Sequence, residues 1–293
     1  DLLVDRKKQD RNVNYQGMGM IRTYIALMLF WILPGFVPVD PGEHMQAVSY
    51  LPFEPGEKLY FRMNYSIFTV GKAEVIVNPI KYYLDDKSYY KIDIFGRTAG
   101  AAAIVSTVDD QWGALIDTED LLPHKSWRDL EEGRYRRKEY VSYDHEAGMV
   151  DVRAVNNETG RLKPSEIYTF DAPHTHDLIS GMIHFRTLDF TRYQLNDTLK
   201  MKGFLEDKFY DMKILYKGTE FIKTRLGTIN TYKLVPIMPD NKIFAGENSI
   251  TAWFAADQSR IPVKVEANMF IGRAGIEIIN YEGMKNAPAF IKE

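Results

Sequence analysis

Hydrophobic and polar side chains alternate with a period of two through most of the chain. In the segment 57–67, Leu59, Phe61 and Met63 fall on one face, while charged and polar residues occupy most of the other. Successive side chains of a β-strand point to opposite sides, so this segment is predicted to be a strand with one buried face. A turn at residues 69–71 then leads into a second alternating run, which predicts a β-hairpin.

Further alternating runs follow with little helical pattern between them, which favours an antiparallel sheet over alternating strands and helices. One segment differs, because Leu178 and Met182 belong to a helical pattern of hydrophobic residues within 176–188. Thr175 or Asp177 can cap its start. The sequence therefore predicts a mainly β domain with one amphipathic helix. The further strands are predicted near residues 88–95, 104–116, 134–143, 149–155, 165–170, 198–205, 208–217, 219–225, 229–235, 249–255, 261–270 and 274–281.

An apolar segment near the amino terminus predicts export. After Met20, residues 25–33 are apolar without interruption. A membrane-spanning helix needs about 20 apolar residues, whereas the apolar part of a signal peptide has about 7–15. We interpret residues 20–47 as a signal peptide, residues 1–19 as upstream sequence or a mis-set start, and residues 48–293 as one mature β-rich domain. If residues 1–19 are translated, the segment instead becomes a signal anchor with a basic tail.

Composition and charge exclude several classes of function. The net charge is −3, and no basic face is visible, so binding to nucleic acid is not expected. The chain contains no Cys, which removes disulfides, thiol nucleophiles, iron–sulfur clusters and cysteine zinc sites. No Walker loop, dinucleotide fingerprint or G-x-S-x-G elbow occurs, and no cofactor is predicted.

A set of short motifs, in order along residues 50–282, resembles the exported proteins grouped as domain of unknown function 3108. The sequence departs from the family pattern at His184, where an aromatic residue is expected, and Gly181 is less favourable to a helix than expected. The resemblance implies a periplasmic or secreted protein of a Gram-negative envelope, with a strongly curved antiparallel sheet or a partly closed β-roll or barrel. It implies no activity. The motifs are FEPGEKL at 53–59, VGKA at 70–73, LLP at 121–123, EEGRY at 131–135, DLIS at 177–180 and RIPV at 260–263.

Two histidines and a carboxylate form the best candidate for chemistry. In an extended segment, His174 and His176 point to the same side, and Asp177 follows them. Two imidazoles and a carboxylate can bind zinc and leave a position open for water. The alternative is a pair of surface histidines beside a helix-capping Asp. Adjacent carboxylates at 109–110 and 131–132 are interpreted as solvated turns.

A surplus of aromatic residues suggests a second kind of site. Tyr82, Tyr83, Tyr89 and Tyr90 cluster with Phe68, and packing within a sheet accounts for most such residues. A curved sheet with an aromatic concave face also suits an apolar ligand.

Three functions remain open at this stage. The first is a non-enzymatic envelope protein that binds an apolar ligand such as a lipid, a glycan or an envelope protein on its curved sheet. The second is a metal-assisted hydrolase that uses the His-x-His-Asp motif, and the third is a structural scaffold of an envelope assembly. In each case no transmembrane segment is expected in the mature protein.

Overall fold

A computed structural model describes residues 50–100, 103, 107–170, 174–237 and 249–292. The predicted signal peptide at 20–47 lies outside the described residues. The described chain forms 16 strands: β1 Lys58–Tyr65, β2 Phe68–Val77, β3 Tyr82–Leu84, β4 Lys87–Thr98, β5 Asp109–Asp117, β6 Pro123–Glu132, β7 Tyr135–Asp144, β8 Met149–Ala154, β9 Glu166–Thr169, β10 Thr175–His176, β11 Thr198–Leu205, β12 Lys208–Thr224, β13 Gly227–Pro236, β14 Ile250–Ala255, β15 Pro262–Asn268 and β16 Arg273–Glu282. They form one sheet with the order β10-β11-β12-β13-β14-β15-β16-β1-β2-β4-β5-β6-β7-β8-β9, and β3 pairs with β4. Neighbouring strands are antiparallel except for β10 and β11.

The first hairpin confirms the alternating pattern and corrects the position of its turn. Leu59, Phe61 and Met63 are buried, as the pattern predicts. The turn lies at residues 66–67 instead of 69–71, because β2 already begins at Phe68. Gly71 is therefore inside the strand, where a Cβ atom would collide with the carbonyl oxygen of Arg97 on β4.

Strand β6 was not predicted, because its sequence carries charge on both faces. Arg128 is buried there, and its Nε lies 2.5 Å from an oxygen of the buried Glu139 on β7. A buried cation with a charged partner is compatible with a strand interior, but hydrophobic periodicity alone cannot reveal it. The runs predicted at 208–217 and 219–225 form one long strand, β12, with a register shift between Tyr216 and Thr219.

The sheet curls until side chains near its two ends meet. Tyr143 and Phe204 pack edge to face, with ring centroids 6.4 Å apart. Beside them, Arg137 of β7 binds Asp207 of the β11–β12 turn at 2.8 Å. The sheet is not closed into a barrel: its terminal strands in the described residues are β9 and β10. The predicted mainly β fold with a strongly curved sheet is confirmed.

A helix, α1 (Leu178–Thr187), packs against the core of this curved sheet and confirms the predicted helix. Its Ile179 and Ile183 belong to the main hydrophobic core, and Phe185 packs with β11, β12 and β14 in a second cluster. More of its surface is buried than in a helix lying on a protein exterior. A short 3₁₀ helix (Phe190–Arg192) follows it. Among the described residues, no helix has the length and apolar character needed to cross a membrane.

Candidate ligand-binding site

An apolar cavity of about 140 Å³ lies between α1 and the half of the sheet formed by β11–β16, β1 and β2. Three methionines and two glycines contribute to its wall, and methionine side chains are flexible enough to border an irregular space. The predicted aromatic concave face is not this site, because Tyr82, Tyr83, Tyr89 and Tyr90 do not line the cavity. The side chains that enclose it include Phe61, Met182, Phe185, Met201, Tyr210, Met212, Ile214, Leu234, Ile250, Ala252, Phe254, Val265, Ala267 and Ile276.

The cavity reaches one end of the sheet. Leu205 is the last residue of β11, Pro236 is the last of β13 and Ile250 is the first of β14. All three line the cavity, and Pro236 and Ile250 are ends of neighbouring antiparallel strands. Pro236 is level with Ile214 of β12 and, through it, with Leu199, so the last residues of β11 project further in the same direction. Leu205 is only half-buried, so the wall extends towards solvent at this end. We call it the cavity end of the sheet.

The polar part of the cavity wall is formed by His176 and Asp177 at the start of α1. Asp177 caps the helix: its Oδ1 accepts a hydrogen bond from the Ser180 backbone N–H at 2.7 Å. The Ser180 hydroxyl oxygen accepts from the Asp177 backbone N–H at 3.0 Å, which completes a capping box. The Nδ1 atom of His176 lies 3.2 Å from the same hydroxyl oxygen. The sequence D-L-I-S therefore fixes both polar groups locally.

Burial keeps His176 and His184 largely without charge near neutral pH, whereas Asp177 stays mostly ionised there. Desolvation, together with the nearby His184, holds the pKa of His176 well below its usual value. The two rings lie 4.9 Å apart, and desolvation lowers the pKa of His184 to about 4. Burial also raises the pKa of Asp177 to about 6. A wall of this kind can accept an apolar molecule and offer a hydrogen bond to one polar end.

The sequence-predicted zinc residues do not meet in an obvious metal site. His174 is half-buried, and its pKa is lowered by desolvation and then by His145. His176 instead faces His184 and Ser180, and the Asp177 carboxylate is engaged in capping α1. In the described part of the chain, no group of three or more His, Asp or Glu side chains is placed to hold a metal ion. The metal hypothesis stays a prediction.

A buried ion pair fixes the opposite end of α1. Arg186 and Glu57 are almost fully buried, and the guanidinium donates to both carboxylate oxygens at 2.5 and 3.0 Å. It also donates to the Ser259 carbonyl oxygen at 3.1 Å. The pair joins the helix to the residue before β1. A buried charge pair requires hydrogen bonds to remain stable, and these contacts supply them. Sequence reasoning missed it, although Glu57 lies inside the FEPGEKL motif.

Two other buried carboxyl groups correct the interpretation of the adjacent carboxylates. Asp109 is exposed and paired with Arg97, but Asp110 is buried and its Oδ1 accepts from the Glu131 backbone N–H at 2.9 Å. Glu132, which is also buried, interacts with Asp110. Desolvation is the main cause that raises the pKa of Asp110 to about 6. One member of each predicted pair thus points inward and is not part of a solvated turn.

Comparison with known proteins places this fold in a family. Residues 60–279 match the family model described as protein of unknown function (DUF3108). The chain belongs to the DUF3108 family. This confirms the resemblance seen in the sequence motifs, and the match covers all of the strands except parts of the first and last.

One solved structure has a similar fold. The crystal structure of a β-barrel-like protein of domain of unknown function DUF1849 from Brucella abortus is 7% identical, covers 80% of this chain and 100% of that chain, and has a TM-score of 0.51. A hypothetical protein from Chlamydia trachomatis is 8% identical, with 83% and 92% of the two chains covered and a TM-score of 0.35. At such identities the first likeness shows the fold alone. No curated protein matches the sequence.

Proposed function

We propose that this DUF3108 protein binds a small apolar or amphipathic molecule in the cavity between α1 and the sheet. The observation that carries the proposal is the cavity of about 140 Å³ with its almost wholly apolar wall. Voids in protein interiors are normally few and small, because interiors pack at the density of organic crystals. A space of this size beside flexible Met201 and Met212 supports occupancy by a ligand.

The volume sets the size of the ligand. An engineered apolar cavity of about 150 Å³ in another protein binds benzene. The present cavity therefore suits about six carbon atoms, such as the end of an acyl chain. Burial of about six methylene groups at about 0.8 kcal/mol each gives roughly 5 kcal/mol, which corresponds to a dissociation constant on the order of 10⁻⁴ M before other contributions.

The apolar amino-terminal segment supports an envelope location. Residues 25–33 have the length of the apolar part of a signal peptide, and such a segment directs export. An exported protein meets membrane lipids and their breakdown products, so a molecule with an acyl chain is a consistent ligand class. His176 and Asp177 would face the polar end of such a molecule.

Calorimetric titration with saturated fatty acids of about six to ten carbons tests the proposal. We expect saturable binding with a negative heat-capacity change, because apolar surface is removed from water. The variant Ala252→Phe places a ring on the cavity side of β14 and should abolish binding.

The matched control is Thr251→Phe, since the preceding residue of the same strand points to the opposite face. This variant should bind as the unmodified protein does. Equal loss of binding in both variants, or no saturable binding by any of the acids, would overturn the proposed function.

A further inference from the structure

Four strongly exposed hydrophobic side chains lie on two adjacent turns at the cavity end of the sheet. Ile67 in the β1–β2 turn and Phe68 at the start of β2 are 89% and 66% exposed. Phe270 and Ile271 on the β15–β16 turn are 66% and 81% exposed. These four residues form what we call the tip patch. Scattered exposed hydrophobic residues are ordinary on soluble proteins, but a group held together on adjoining turns indicates an interaction surface.

The two turns are joined to each other, so the patch has a fixed shape. The Tyr65 hydroxyl group donates to the Ile271 carbonyl oxygen, and the Ser66 backbone N–H donates to the Arg273 carbonyl oxygen at 2.5 Å. Gly272, with φ +78°, lies so close to Tyr65 that a Cβ atom would crowd its hydroxyl group.

Positive charge lies beside the patch. Lys72 is exposed on β2 and pairs across the sheet with Arg62 on one side and Arg97 on the other. Arg62 has an acidic partner in Glu277, and Arg97 has one in Asp109. Like charges directly opposite each other are unfavourable in a sheet. Glu74 lies on the same face of β2 and acts electrostatically on Arg97, so these three cations share the face with three carboxylates. The excess of positive charge near the patch comes from Lys264 and Arg273, which share the one carboxylate of Glu266.

Arg273 adds a further cation at the start of β16, next to Ile271. Its Nη1 lies 3.8 Å from an oxygen of Glu266, and its side chain is mostly exposed. The region therefore combines protruding apolar side chains with exposed cations. This combination is typical of protein surfaces that enter the headgroup region of a bilayer with anionic lipids.

The cavity extends towards the same end of the molecule. Ala267 lines the cavity and pairs with Ile250 and with Ala274, and it lies only three residues before Phe270. A bilayer in contact with the tip patch would therefore lie close to the wall of the cavity. This part of the argument rests on the proposed function, whereas the patch and its charges do not.

We propose that the tip patch docks the protein on the surface of an anionic lipid bilayer. Ile67, Phe68, Phe270 and Ile271 enter the headgroup region, while Lys72 and Arg273 contact lipid phosphates. The cavity end then faces the membrane, where it can take up or release a molecule with an acyl chain.

Flotation with lipid vesicles tests the docking surface in the full chain. The vesicles consist of phosphatidylcholine alone or with added phosphatidylglycerol. The double variant Phe68→Ser/Ile271→Ser should lower the partition coefficient about tenfold or more, because two side chains no longer enter the bilayer. All proteins compared share the same amino-terminal segment, so any difference in partition between them comes from the substituted residues.

A matched control removes two equally exposed side chains from the opposite end of the sheet. Ile80 and Tyr83 are 71% and 77% exposed near the β2–β3 connection. The double variant Ile80→Ser/Tyr83→Ser should bind vesicles as the unmodified protein does. Equal partition of the tip variant and this control variant would overturn the proposal.

A separate variant tests the contribution of positive charge to vesicle binding. Lys72→Gln should weaken binding about fivefold on vesicles with phosphatidylglycerol and leave binding to phosphatidylcholine alone unchanged. Equal binding of the unmodified protein to both vesicles would overturn the anionic preference. Failure to bind vesicles while fatty acids still bind would remove the docking surface and leave the proposed function intact. Vesicle docking without fatty-acid binding would remove the proposed function and leave the docking surface intact.

Discussion

The substitution Gly181→Ala tests whether the space beside α1 is a true void. Gly181 is the fourth residue of the helix, and Ala is more favourable than Gly in a helix interior by about 1 kcal/mol. The added Cβ atom would lie 2.8 Å from Cε of Met201, which is too close for an undistorted contact. The result depends on whether Met201 can move.

The structure predicts that it can. The atom in the way is the far end of a flexible thioether, and Met201 borders the cavity of about 140 Å³. If the side chain rotates into that space, most of the helix-propensity gain survives. We expect the free energy of unfolding to rise by about 0.5–1 kcal/mol, which corresponds to roughly 1–4 °C in melting temperature for a domain of this size. In a fully packed interior the added Cβ atom would instead lower the free energy of unfolding by about 1–3 kcal/mol.

Urea denaturation of four proteins provides the measurement: the unmodified chain, Gly181→Ala, Met201→Ala and the double variant. In the Met201→Ala background the overlap is absent, so Gly181→Ala should show the full propensity gain there. The single Gly181→Ala variant should also bind fatty acids more weakly, because the displaced thioether occupies part of the cavity. A loss of more than about 1 kcal/mol on Gly181→Ala alone would refute the void.

Three further expectations follow from the buried polar groups. Glu57→Gln leaves the Arg186 guanidinium without a charged partner and should destabilise the protein by about 3–5 kcal/mol in thermal unfolding, whereas Asp109→Asn in an exposed pair should cost less than about 1 kcal/mol. His184→Phe should make the free energy of unfolding less sensitive to acid. In the unmodified chain the folded-state pKa of His184 is about 4. This group therefore lowers the free energy of unfolding as pH falls from about 6.5 towards 4, by up to about 3 kcal/mol. Unfolding curves at several pH values should therefore diverge in acid, and parallel curves would contradict the assignment. Metal analysis should find less than about a tenth of an equivalent of zinc, because the Asp177 carboxylate is engaged in capping α1, and a full equivalent would support the hydrolase hypothesis instead.

Features determined by local periodicity were predictable from the sequence. The alternation that ends at Met63 and the helical spacing from Leu178 both appear in the fold, because each depends on which face of one element is buried. The capping role of Asp177 was also accessible, since a side chain at that position bonds within three residues.

Features determined by distant parts of the chain were not predictable. The strand β6 depends on the pairing of Arg128 with Glu139, and the anchor of α1 depends on Arg186 meeting Glu57, 129 residues away in the chain. The inward orientation of Asp110 likewise depends on its neighbour on another strand. A single sequence gives no signal for such encounters, because each residue taken alone is typical of a surface.

The cavity is a third kind of feature, because it exists where the surrounding side chains do not fill the available space. Its local signal was nevertheless present: Gly181 departs from the family pattern in a helix that otherwise follows helical spacing, and Met182 follows it directly. A glycine lowers helix stability, so its presence in a buried helix requires a compensating role. Here the missing side chain leaves room for Met201 and the cavity beside it.

The arrangement of these features along α1 connects stability with the proposed function. The carboxyl end of the helix is held by a buried ion pair with several hydrogen bonds, whereas its amino end borders a void and the buried, uncharged His176. Regions with fewer packed contacts open at lower free energy than the rest of a fold. Exchange of a bound molecule would therefore take place at the amino end of α1. That end is joined to β11 through His176 and Gly203 and borders the cavity directly, so exchange there would require no rearrangement of the anchored half of the helix.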